Sequence, residues 1–106
     1  MNEKLPVSNA FQTFIKEAPE YQKIWMETVQ KLDSASKLDS KTEELAYIAV
    51  LASARLEGGL PFHVKHAKLL GATREEVISA VLVGLPAVGN IVIQALPIAL
   101  NAFDSE

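Results

Sequence analysis

Glu44, His63 and His66 are the residues whose types and spacing could do chemistry in this 106-residue chain, which has two histidines and no cysteine. A carboxylate that meets an imidazole orients the ring and stabilises its protonated form, and the ring can then move protons near neutral pH. The spacing around His63 predicts a helix on which Ala67 and Leu70 share its face, with His66 about 60° away and Lys65 and Lys68 on the far side. His63 therefore looks inward. An inward histidine suits a hydrogen-bonded core position as well as a proton relay. Glu44, at the predicted start of a helix, has the same two readings: relay partner, or carboxylate favoured by the helix dipole.

Three further features lie between these residues. Gly58 and Gly59 precede a helix start, so the amides of Gly59, Leu60 and Phe62 could cradle a substrate anion; a tight turn needing permissive backbone explains the same glycines. Arg55 could grip an acidic substrate, or interact with the last carbonyls of its helix. His66, with His63 and Glu44 or Glu57, invites a metal, but neither an H-E-x-x-H pattern nor a cysteine accompanies it. We assign no metal and no cofactor, and place His66 with Arg55, Gly58 and Gly59 among substrate-binding residues. No nucleotide-binding loop or serine triad is present.

The elements that must position these residues are helical throughout. The sequence predicts an all-α fold of about six helices, with no repeat or low-complexity tract. A first helix begins after Ser8, with Phe11, Phe14 and Ile15 on one side. A second opens near Pro19 and carries Tyr21, Ile24, Trp25, Thr28, Val29 and Leu32 at helical spacing, opposite Lys23, Glu27 and Lys31. Asp33 to Asp39 reads as a linker. Residues 1–39 thus form an amino-terminal helical pair and linker, and residues 40–103 the motif-bearing core, of one domain spanning 1–106. The third helix is expected to start with a capping box, Ser40-x-x-Glu43. From Leu45 to Ala54 only Ser53 is neither apolar nor tyrosine, which predicts a helix enclosed by protein. Gly58 and Gly59 end it, Pro61 opens the fourth helix, Gly71 caps that helix, and a second capping box, Thr73-x-x-Glu76, opens the fifth. Helices five and six are expected to divide between Pro86 and Asn90.

Composition limits the partners. A net charge of −3 with scattered lysines offers no footprint for nucleic acid or an anionic membrane. From Val77 to Phe103 no residue is charged, long enough to span a bilayer, but Pro86, Pro97, Asn90 and Gln94 interrupt the run and favour buried helices. The amino end lacks a secretory or transit pattern, so a cytoplasmic location is expected. So much apolar helix in so short a chain predicts that subunits share the burial.

Glu44-Leu45, Ala49-Val50, His63, Ala67 and Gly71-Ala72-Thr73 together resemble the carboxymuconolactone decarboxylase family. Its alkylhydroperoxidase-type members carry E-L-x-x-x-A-V followed by C-x-x-C-x-x-x-H-x-x-x-A-x-x-x-G-A-T. Leu56 and Gly59 stand where the two cysteines would fall. The resemblance implies an alkylhydroperoxidase D-like helical fold, a homotrimer or homohexamer, and Glu44 and His63 as a catalytic pair. The resulting expectation is cofactor-free, decarboxylase-like lyase chemistry on a small acidic or lactone substrate. One alternative is the peroxiredoxin-like oxidoreductase activity of the family's thiol members, whose cysteines this chain lacks; another is a non-catalytic binding or structural oligomer.

Overall fold

The computed structural model describes residues 5–105, and those residues form helices and turns with no strand. Six helices of at least nine residues are present, as the periodicity predicts: α1 (Asn9–Glu17), α2 (Pro19–Ala35), α3 (Ser40–Ser53), α4 (Leu60–Leu69), α5 (Arg74–Leu82) and α8 (Leu96–Asp104). Two single turns, α6 (Leu85–Val88) and α7 (Ile91–Gln94), join α5 to α8, and a 3-10 turn, Glu57–Gly59, precedes α4. The expected division of residues 77–103 into two helices is thus corrected to four pieces. Pro86 and Pro97 each sit in a first turn, and Gly89 adopts a positive φ of 71° between α6 and α7. Each restarts the hydrogen-bond ladder. Among the described residues no helix is long and apolar enough to cross a membrane.

Helices α3, α4, α5 and α8 enclose the core: α3 packs on α4 and α5, and α8 closes over both. Ile48, Leu60, Val64, Val77, Val81 and Val92 are its largest fully buried side chains. Leu51 and the alanines at 52, 67, 72, 80, 95, 99 and 102 complete it, and side chains as small as alanine let helix axes approach closely. Arg74 forks onto Asp104 at 2.9 and 3.0 Å, and Lys68 donates to the Phe103 carbonyl at 2.7 Å, so α8 is pinned to α4 and α5 by its carboxy end.

The amino-terminal pair behaves differently. Ser8 caps α1 by accepting from the Phe11 amide, and Pro19 opens α2, as expected, yet neither helix contains a buried residue. Tyr21, Ile24, Trp25 and Leu32 are all more than half exposed. The apolar stripe of α2 exists, but among the described residues it is left largely uncovered.

The start of α3 is also corrected. Asp39, not Ser40, is the N-cap: its carboxylate accepts from the Thr42 amide at 2.9 Å and from the Thr42 hydroxyl at 3.0 Å. A cap one residue earlier moves every later residue one position deeper into the helix. The Thr73–Glu76 capping box of α5 forms in both directions. Only one face of α3 is enclosed, through Ile48, Leu51 and Ala52, while Tyr47 and Val50 are exposed on the other. The expectation of a fully surrounded helix is not met within one chain.

Candidate functional site

Glu44 is the fifth residue of α3, and its position follows from the Asp39 cap. It lies beyond the first turn, where a carboxylate would satisfy orphan amides or the dipole, so those duties do not account for it. Its side chain is 14% exposed and points across to α4. There His63 Nδ1 donates to Glu44 Oε1 at 2.7 Å, and His66 Nδ1 donates to Oε2 at 3.1 Å. One carboxylate therefore holds both histidines of the chain. Helical geometry makes this possible, because residues three apart on α4 present neighbouring side chains to the same point on α3.

The electrostatics assign the protons. Burial pushes the Glu44 carboxyl up, but the hydrogen bond and charge of His63, followed by those of His66, outweigh it and hold the group below its ordinary value. Glu44 is therefore ionised at neutral pH, and an ionised carboxylate only accepts hydrogen bonds. Each imidazole must carry its proton on Nδ1, which leaves each Nε2 as the atom available to a substrate. A neutral ring presents a lone pair there, and a protonated ring presents an N–H.

Two aromatic residues fix the rings, and the sequence reading missed both. Tyr47 stacks on His63 with centroids 4.3 Å apart and planes 17° from parallel. Phe62 meets His63 edge-on at 5.0 Å and lies 6.3 Å from His66. The signals were present in the spacing: Tyr47 is three residues after Glu44, hence on the same face of α3, and Phe62 adjoins His63. His63 is 22% exposed and His66 39% exposed, so both rings are packed against neighbours yet reach solvent.

The remaining site candidates do not join this group. The Gly59 amide donates to the Leu56 carbonyl and the Leu60 amide to the Glu57 carbonyl, so two of the three amides expected to be free for an anion are engaged. Leu56 N–H donates to the Leu51 carbonyl at 2.9 Å, closing the end of α3 in a Schellman motif, and the left-handed residue of that motif is Arg55, with φ 62°. Gly71, with φ 98°, fills the equivalent place after α4. Arg55 is exposed and makes no ion pair among the described residues. Nor, among those residues, do three or more His, Cys, Asp or Glu side chains form a group that could hold a metal ion. Both Glu44 oxygens face Nδ1 hydrogens, so the three side chains do not converge on a shared centre.

The family resemblance seen in the sequence has a direct counterpart in comparison with known proteins. Residues 19–101 match the carboxymuconolactone decarboxylase family. The chain belongs to that family. It is also similar to an apo crystal structure of a carboxymuconolactone decarboxylase family protein from Legionella pneumophila, at 28% identity and a TM-score of 0.76 over 90% of this chain and 85% of the other. No curated protein matches the chain. The chain has no cysteine, so the Glu44–His63 pair stands without a sulfur nucleophile.

Proposed function

We propose that this member of the family is a cofactor-free, decarboxylase-like enzyme that uses Glu44 and His63 for acid/base chemistry on a small acidic or lactone substrate. The observation that carries the reading is the 2.7 Å hydrogen bond from His63 Nδ1 to an ionised, largely buried carboxylate. It fixes the tautomer and leaves Nε2 to face the substrate. In the forward step the bond between the substrate carboxyl group and its carbon breaks, and carbon dioxide leaves. The electron pair is delocalised onto a conjugated carbonyl oxygen as an enolate. Protonated His63 then delivers the Nε2 proton to carbon, and water restores it, so the net reaction consumes one proton and releases one carbon dioxide.

The test is release of carbon dioxide from carboxymuconolactone, the compound class in the family's name, by wild type and His63→Gln. Loss of turnover in a variant that remains folded in the wild-type oligomeric state supports the relay. Absence of carbon dioxide release from wild type, with only stability lost in the variant, would instead favour the non-catalytic oligomer, in which the pair serves as a hydrogen-bonded packing element. We further propose that the enzyme acts as a homotrimer or homohexamer. Support comes from Val50, Leu56 and Val83, which are each more than half exposed, and from the uncovered α2 stripe. Light scattering without detergent tests this, and a monodisperse monomer would overturn it.

A further inference from the structure

His66, placed among the substrate-binding residues by the sequence, has no specific task once His63 has been made the proton donor, and the reaction remains without a group to stabilise the enolate oxygen. The sequence assigned that second task to the glycine turn, whose Gly59 and Leu60 amides are engaged with backbone carbonyls. Resting on the decarboxylase-like reading above, we infer that His66 is the enolate-binding residue of the site, its Nε2–H donating to the substrate carbonyl oxygen on which negative charge develops.

Three observations carry this. First, His66 Nδ1 donates to Glu44 Oε2 at 3.1 Å, so the ring is anchored by the same carboxylate as His63 and has the same tautomer. Its remaining polar atom is Nε2. Second, His66 is the more open of the two rings, 39% exposed against 22%, which suits a group that meets an incoming anion. Third, the arrangement supplies the counter-charge that the role requires: with Nδ1–H given to Glu44, a ring donates through Nε2 only as imidazolium, and the shared carboxylate lies against that charge. As the carbon–carboxyl bond breaks, carbon dioxide leaves and its electron pair runs to the carbonyl oxygen. His66 stabilises that oxygen without giving up its proton, while His63 transfers its own to carbon. Donors held in place before charge develops are the most effective kind, since they need no reorganisation during the reaction.

Tetronate, a lactone enolate that is anionic at neutral pH, is the probe. Nitrogen-15 NMR of histidine-labelled protein is recorded with and without it, for wild type, His66→Gln and His66→Asn. The expected result is that tetronate shifts the His66 Nε2 resonance and that both variants bind it at least about tenfold more weakly. Both should retain the His63 Nδ1–H signal and a melting temperature near wild type. The same variants should lower kcat for carboxymuconolactone by about 100-fold to 1,000-fold, in the range found for removal of one such donor, with a smaller change in KM. Failure of wild type to bind tetronate, or equal affinity in the variants, overturns the assignment of His66. Tetronate binding that depends on His66 without release of carbon dioxide overturns the decarboxylase reading and leaves the enolate site standing.

Discussion

Replacing Glu44 by Gln tests the centre of the site with almost no change of shape. A glutamine amide has one acceptor oxygen and one donor nitrogen, so it can receive Nδ1–H from only one imidazole. The other ring must turn to the Nε2–H tautomer or lose its partner. Glu44 makes two charge-assisted hydrogen bonds, each of a kind worth about 1.5–3 kcal/mol when shielded. The His66 bond is partly solvated and counts for less, and one neutral bond survives in the variant. The net loss should be about 2 kcal/mol at neutral pH. In a domain of this size that corresponds to a fall of about 8–16 °C in melting temperature. The pH dependence follows from the direction of the Glu44 shift. Because the folded-state pKa lies below the unfolded one, the contribution is fully present above the unfolded value and is lost as pH falls through the folded one. Protonated glutamic acid then resembles glutamine, so the difference between wild type and Glu44→Gln should shrink in acid. Urea denaturation at fixed protein concentration across pH 3–8, with nitrogen-15 spectra of both histidines, reads each part. Wild-type stability at neutral pH together with two unchanged Nδ1–H signals would refute the reasoning.

Three other outcomes follow from local geometry. Arg55 occupies a left-handed conformation that glycine adopts without penalty, so Arg55→Gly should raise stability by about 0.5–1 kcal/mol in urea titration. A loss of stability would show that the guanidinium makes a necessary contact. Thr73→Ala removes the hydroxyl that accepts from the Glu76 amide at 3.1 Å and should cost about 1 kcal/mol by the same assay; no change would mean that α5 starts without its cap. With no cysteine in the chain, metal-free protein should not reduce cumene hydroperoxide in the presence of a dithiol, and sustained turnover would refute the argument that this reaction needs a protein thiol.

Local signals determined the helices, because their causes are local. Ser8, Pro19, Pro61, Gly71 and the Thr73–Glu76 box each act within one turn of chain, and the structure places helix boundaries beside all of them. The start of α3 was misread by one residue because Asp39 and Ser40 are both capping types, and only backbone geometry decides which carboxylate or hydroxyl reaches an amide. Family membership was likewise legible, since it rests on residue types at fixed spacing. What required tertiary structure was the meeting of α3 with α4. Glu44 is separated from His63 by 19 residues and from His66 by 22, and no local rule places one carboxylate between two imidazoles. The engagement of the Gly59 and Leu60 amides was hidden for a related reason. Glycines permit several turns, and the turn adopted here, with the left-handed residue at Arg55 instead, is set by how α3 must end to bring α4 back across it.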